Sequence, residues 1–307
     1  MSNNFLISLR NDDPVGSGNP GTKMGNTAYF ELSPDAPSYN LGSQIDKKKW
    51  LSRIAGTSVL IFVHGFGNDA SKVVARHNAV KPYIPPGFTL VSFDWPSGNT
   101  GFSAYKDDKA NAKQSAPRLI TDCIQHLLTR FGWGNVNLFA HSMGAYVTEN
   151  AFSTAGAVKI NHVLMAAADV DRLNYVAGSY PLGGFLAKCN DLTAYWSSDD
   201  QALQESAKMP INNGAIPLGL SGYPQPGVPG KCRGIECTAY YRNYALGTSQ
   251  IAPGPEFSHV WYLLYQPPGP AVNDFFADMA EVIRLPGLTR APTKDPFGFL
   301  LQRPADA

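Results

Sequence analysis

Apolar positions along the chain follow two alternating rhythms. Short runs dominated by Val, Ile, Leu and Phe predict strands at Phe5–Leu9, Thr27–Leu32, Thr57–Val63, Phe88–Phe93, Asn135–Ala140, Lys159–Ala166, Leu192–Ser198 and Ile235–Tyr241. The central runs are apolar nearly throughout, as strands covered on both faces must be. Between them the period lengthens. Ala116, Leu119, Ile120, Cys123, Ile124, Leu127, Leu128 and Phe131 recur at helical spacing, and Gly132 just beyond predicts the stop. Val272, Phe275, Phe276, Met279 and Ile283 form a second such face, ended by Pro286-Gly287. Strands alternating with helices predict an α/β fold, with a mostly parallel central sheet and helices on both faces.

One stretch interrupts this order. From Met209 to Gly234 the chain carries Pro210, Pro217, Pro224, Pro226 and Pro229 and little periodicity. Long irregular segments inside compact domains often serve as lids or binding loops, and equally often merely cover the scaffold. No internal repeat accompanies it, so a single domain over residues 1–307 is expected, with a lid-like or surface insertion around 209–234.

Composition narrows the function. Hydrophobic content of 44% and charged content of 16% describe a globular chain. Lys+Arg 25 against Asp+Glu 24 leaves no basic stripe, which argues against a nucleic-acid partner. Lys47-Lys48-Lys49 beside Trp50 reads as a solvated helix start. No apolar run approaches the roughly 20 residues a membrane span needs, and Phe5–Leu9 is too short for a signal-peptide core. A cytoplasmic location is therefore expected, or a secreted one if a leader has been removed. Cys123 falls on the apolar helix face, whereas Cys189, Cys232 and Cys237 lie in or near loops, where one disulfide is feasible. Metal-ligand spacing is absent, and Gly16–Lys23 has Thr22 where a phosphate loop needs Lys.

The chemistry concentrates where strands end. Asn135–Ala140 runs into His141-Ser142-Met143-Gly144-Ala145 and then a helical stretch, the strand–turn–helix context of a nucleophile elbow, with Ala140 in place of the usual first Gly. Thr57–Val63 ends in His64-Gly65-Phe66-Gly67, a turn able to supply a backbone N–H to an oxyanion. Phe66 and Met143 are thus the candidate oxyanion donors, and Ser142 the candidate nucleophile. A hydroxyl needs a base oriented by a carboxylate. Of six histidines, His126 falls on a polar helix face, His64 and His141 belong to the two turns, His77 to a surface helix, and His162 to a strand start. His259 alone follows the expected order of nucleophile, acid and base. For the acid, Asp199 and Asp200 follow Leu192–Ser198, with Asp169 and Asp171 as rivals after the preceding strand. Either Asp could instead cap the helix beginning near Gln201.

Phe62-Val63-His64-Gly65-Phe66, Phe93-Asp94-Trp95-Pro96-Ser97-Gly98 with Tyr105 and Asp108, and Ala140-His141-Ser142-Met143-Gly144 together resemble a bacterial α/β-hydrolase family of unknown function (DUF900-like). Ala166-Ala167-Ala168-Asp169-Val170-Asp171 and Ser198-Asp199-Asp200-Gln201-Ala202-Leu203 continue the likeness in order, over about Val59 to His259. The resemblance implies an α/β-hydrolase fold and carries the acid onto Asp200. The combined expectation is a serine esterase or lipase-like enzyme that takes a small-molecule ester or acyl substrate through an acyl-enzyme, without metal or cofactor. A lipase, thioesterase, peptidase or non-catalytic binding protein of the same fold is the alternative. The Pro/Gly-rich segment and Cys232/Cys237 depart from the family pattern.

Overall fold

The computed structural model describes residues 4–13, 16–98, 102–154, 156, 158–224, 231–246, 254–267, 273–284 and 298–301. The chain forms two compact units, Met1–Asn161 and His162–Ala307.

In the first unit the strands are β1 (Asn4–Asp12), β2 (Pro20–Glu31), β3 (Ser58–Val63), β4 (Phe88–Asp94) and β5 (Val136–His141). They lie in the order β2-β1-β4-β3-β5. All pairs are parallel except β1 with β2. Every residue of β3 and β5 is buried, the polar Ser58, Asn137 and His141 included, as strands covered on both faces must be. The N-terminal pair extends well beyond its apolar residues, because the polar segment from Pro20 to Asn26 still pairs with β1 across two register shifts.

Helices α1 (Lys47–Arg53) and α2 (Ala70–Val80) begin on Asp46 and Asp69, whose carboxylates accept from the amides of Lys49 and Lys72. Helix α2 buries Ala70, Val73 and Val74 against Leu6, Ala28 and Phe30. It is not a surface helix at His77, which is fully buried between Ser92 and Asn4. The long helical stretch starts earlier than its apolar face suggests. Helix α3 (Phe102–Arg118) contains Pro117, a π-helical segment follows at Leu119–Ile124, and α4 (Gln125–Phe131) ends at Gly132 with φ 73°. Proline removes one ladder donor, and the wider turn directly after it re-phases the hydrogen bonds without ending the helix. Tyr29 Oη uses the change by donating to the Asp122 carbonyl at 3.1 Å. Helix α5 (Met143–Thr154) follows β5.

The second unit holds β6 (Ile160–Ala166), β7 (Cys189–Trp196), β8 (Cys232–Glu236) and β9 (Gly298–Leu300), in that order across the sheet. Its helices are α6 (Tyr180–Lys188), α7 (Gln201–Ala207), α8 (Leu218–Ser221), α9 (Thr238–Tyr240), α10 (Pro255–Leu264) and α11 (Asp274–Arg284). The strand expected at Ile235–Tyr241 is displaced. Pairing with β7 ends at Glu236, and Tyr240 turns into a helix, where its ring lies 5.7 Å from that of Trp261. Packing overrides the β-propensity of tyrosine there. Helix α11 buries Phe275, Phe276, Met279 and Ile283 as expected; Val272 and Pro286-Gly287 lie outside the described residues.

The segment from Met209 to Gly234 is fastened to the strands at its middle. Leu218 and Gly219 donate backbone hydrogen bonds to Val170 and Ala168, and Ser197 donates to Gly219. A Cβ at Gly219 would lie 2.2 Å from the Ala167 carbonyl carbon, so only glycine permits this seam. Leu218 and Tyr223 are buried, whereas Ile211 and Ile216 remain exposed. Residues 225–230 lie outside the description. All four cysteines are buried thiols, and the disulfide that Cys189, Cys232 and Cys237 made feasible is not formed.

Candidate active site

Ser142 occupies the turn between β5 and α5 with φ 56° and is 5% exposed. A left-handed serine is uncommon, and here a fully buried strand fixes one side of the turn and a buried helix start the other. Two glycines allow the turn to pack. A Cβ at Gly144 would meet the Val63 carbonyl at 2.3 Å, and one at Gly65 would meet Ser142 Cβ at 2.6 Å and Oγ at 3.1 Å. The loop after β3 therefore lies directly against the serine. Ala140, by contrast, is accommodated at the first motif position with no exposure. Met143 follows Ser142 and is buried, while Phe66 is half-buried with its ring 5.4 Å from Tyr105.

The loop that carries Phe66 is braced by charge. Asp94, fully buried at the end of β4, accepts from Arg10 Nε at 2.8 Å and contacts His64 Nε2 at 3.0 Å. Tyr39 and Ser8 donate to the same carboxylate. Burial opposes the ionisation of Asp94, but Arg10 and His64 override it and hold the group well below the usual carboxylate range. Arg10 also donates to the carbonyls of Asn68 (2.7 Å), Trp95 (3.3 Å), Ser97 and Gly21 (3.1 Å). Trp95 stacks on His64 at 5.2 Å and donates to its carbonyl. Ser97 accepts from the Asn68 amide and donates to Asp108, whose carboxylate also accepts from Gly67 and Gly98. The Asp-Trp-Pro-Ser-Gly motif thus builds the wall behind the glycine turn. Sequence reasoning did not single out Arg10 or Asp94 as site residues, because neither stands apart locally: Arg10 is followed by Asn11 and Asp12, and Asp94 ends β4.

In the second unit Asp200 Oδ2 contacts His259 Nδ1 at 2.8 Å. The carboxylate is buried and the imidazole side chain is 13% exposed. Asp200 Oδ1 accepts from the Leu203 amide at 2.9 Å, so the residue caps α7 and faces the histidine at once. Ser258 Oγ accepts from the Gln201 amide at 3.0 Å and donates to the Pro255 carbonyl, which fastens the residues adjoining Asp200 and His259. His259 sits in the first turns of α10, and β9 follows it in sequence. The rival carboxylates are occupied elsewhere. Asp199 pairs with Arg242 at 2.5 Å, Asp169 accepts from Ser206 at 2.7 Å, and Asp171 accepts from the Leu173 amide.

The remaining histidines lie apart from this chemistry. Burial, then nearby Lys81, pushes His77 down to about 3, which keeps it neutral. His162 is buried on β6 with Nδ1 3.5 Å from Asp191, and burial lowers its pKa despite that carboxylate. His126 is partly buried, and its pKa is likewise lowered by burial and by Lys47. Among the described residues no group of His, Cys, Asp and Glu could hold a metal ion, and no helix is long and apolar enough to cross a membrane.

A mostly parallel, helix-covered sheet with a serine on a left-handed strand-to-helix turn defines an α/β hydrolase. Residues 43–221 match the family described as alpha/beta hydrolase of unknown function (DUF900), and the chain belongs to that family. Among solved structures it is similar to the HSL-homolog EstE7 from a metagenome library, at 19% identity, covering 75% of this chain and 78% of that one, with a TM-score of 0.36. It is similar also to the RedJ thioesterase of the prodiginine pathway in Streptomyces coelicolor, at 15% identity, covering 74% and 90%, with a TM-score of 0.33. No curated protein matches the sequence.

Proposed function

We propose that the protein hydrolyses carboxylic esters through an acyl-enzyme on Ser142. His259 takes the serine proton and returns it to the leaving alcohol, so the first half-reaction releases alcohol and leaves the acyl group on Oγ. Water activated by the same imidazole then releases the acid. Asp200 holds the ring so that Nε2 is the basic nitrogen, and the amides of Phe66 and Met143 take the oxyanion. The observation that carries this reading is the 2.8 Å contact of the buried Asp200 carboxylate with His259 Nδ1. A buried carboxylate on one ring nitrogen leaves the other to act as base; unlike His64, whose second nitrogen faces the Gly65 carbonyl, His259 keeps part of its ring exposed. Ser142 beside Gly65 supports the same reading.

Reaction with a fluorophosphonate probe tests it. One equivalent should attach to Ser142, Ser142→Ala should abolish both labelling and turnover of nitrophenyl esters, and His259→Ala should do nearly the same. A wild-type protein that neither labels nor turns over esters would instead be a non-catalytic binder of this fold. Preference for thioesters or peptides over oxygen esters would move the activity to another acyl group.

A further inference from the structure

The two ring nitrogens of His64 both face groups that can only accept. Nε2 lies 3.0 Å from Asp94 Oδ1, and Nδ1 lies 2.9 Å from the Gly65 carbonyl oxygen. A neutral imidazole has one N–H and one lone pair, so in either tautomer one contact would set lone pair against lone pair. Only the ring carrying both protons makes both contacts attractive. Its surroundings suit a cation. The Asp94 carboxylate is ionised, and the Trp95 ring lies parallel to the imidazole at 5.2 Å and 6°. Arg10 and Tyr39 are the other titratable groups on that carboxylate, and Asp108 faces the far side of the same loop.

The acceptor of the second proton matters more than the charge itself. The Gly65 carbonyl belongs to the peptide whose N–H is that of Phe66. Asn68 Nδ2 donates to the same carbonyl at 2.9 Å. Drawing electron density from a carbonyl oxygen polarises the amide on its other side, and hydrogen bonds in a chain strengthen one another by roughly 10–30% each.

We propose that His64 is a positioning residue held as an imidazolium, which together with Asn68 polarises the Gly65–Phe66 peptide and makes the Phe66 N–H a stronger donor to a developing oxyanion. The proposal rests on the ester-hydrolase reading for its catalytic consequence, but not for the protonation state.

Ring-nitrogen NMR of histidine-labelled protein at about pH 8, where an unperturbed imidazole is neutral, tests the state directly, with His64→Gln identifying the resonance. Two directly bonded protons on the His64 ring are expected; a ring with one proton overturns the proposal. The Phe66 amide proton should shift upfield in His64→Gln and, by less, in Asn68→Ala; an unmoved resonance overturns the polarisation. In turnover, His64→Gln should lower kcat on the order of tenfold to a hundredfold, less than loss of a direct oxyanion donor, with KM nearly unchanged. A rise in KM alone would make the residue structural. Should His64→Gln fail to fold, the wild-type ring spectrum and Asn68→Ala still decide. Absence of fluorophosphonate labelling in the wild type would defeat the hydrolase reading while leaving the ring and amide measurements to judge the rest.

Discussion

Replacing Asp200 with Asn separates two functions that one carboxylate performs. Oδ1 caps α7 through the Leu203 amide, and Oδ2 holds His259 Nδ1. Asparagine caps as well as aspartate, so the helix start should survive. The buried contact with His259 becomes an amide facing an imidazole, a loss of about 1–3 kcal/mol in stability. The chemical effect is larger. An amide that donates to Nδ1 forces the proton onto Nε2, where it cannot accept from Ser142, and kcat should fall about 10⁴-fold. That is about 5.4 kcal/mol of barrier at 1.36 kcal/mol per decade. Asp200→Ala removes the cap too and should be less stable than the Asn variant by about 1 kcal/mol. Urea titration with constant m-value reads stability, and nitrophenyl ester turnover reads kcat. The reasoning is refuted if the Asn variant keeps a tenth of wild-type turnover, or if Asn and Ala variants unfold at the same urea concentration.

Gly65→Ala should lower kcat by about 10²–10³ while the protein stays folded, because the new methyl would sit 2.6 Å from Ser142 Cβ and must displace the loop after β3; near-normal turnover would mean the loop carries no oxyanion donor. His77 is depressed from 6.5 to about 3. Its neutral form therefore contributes stability that is complete above pH 6.5 and falls away towards pH 3, by up to about 1.4 kcal/mol per pH unit. Denaturation of His77→Gln across that window should show a flatter acid limb than wild type. Asp199→Asn should lose only an exposed ion pair with Arg242 and keep kcat within about twofold, and a larger fall would reopen the choice of acid. Shortening the loop between Asn212 and Tyr223 should alter relative rates across esters of increasing acyl length; constant ratios in a folded variant would make the loop a passive cover.

What the sequence revealed was decided by how local each signal is. Ser142, Gly144 and Gly65 are readable because the turn needs small residues at fixed offsets. From spacing alone Asp200 was one of several carboxylates, and the resemblance singled it out, since capping and histidine contact look alike in one dimension and this residue does both. Arg10 and Asp94 meet across 84 residues, so no spacing rule could join them. The burial of His77 was hidden in the same way, because Ser92 and Asn4 come from distant strands. Tyr240 was misread as strand because its partner, Trp261, lies in another helix. The exposed Ile211 and Ile216 show that apolar residues in a loop need not find a core.

Strand β2 bears on how the protein behaves in company. It is the outermost strand of its sheet and twelve residues long, and a strand of that kind can recruit a second chain along its free edge. Two register shifts against β1 bend that edge, and Lys23 is exposed on it. Gly21 and Gly25 weaken any regular ladder, and Ile45 already bonds to the Tyr29 carbonyl at the apolar end. That edge is therefore a poor template for edge-to-edge growth for as long as the hairpin of β1 and β2 stays closed.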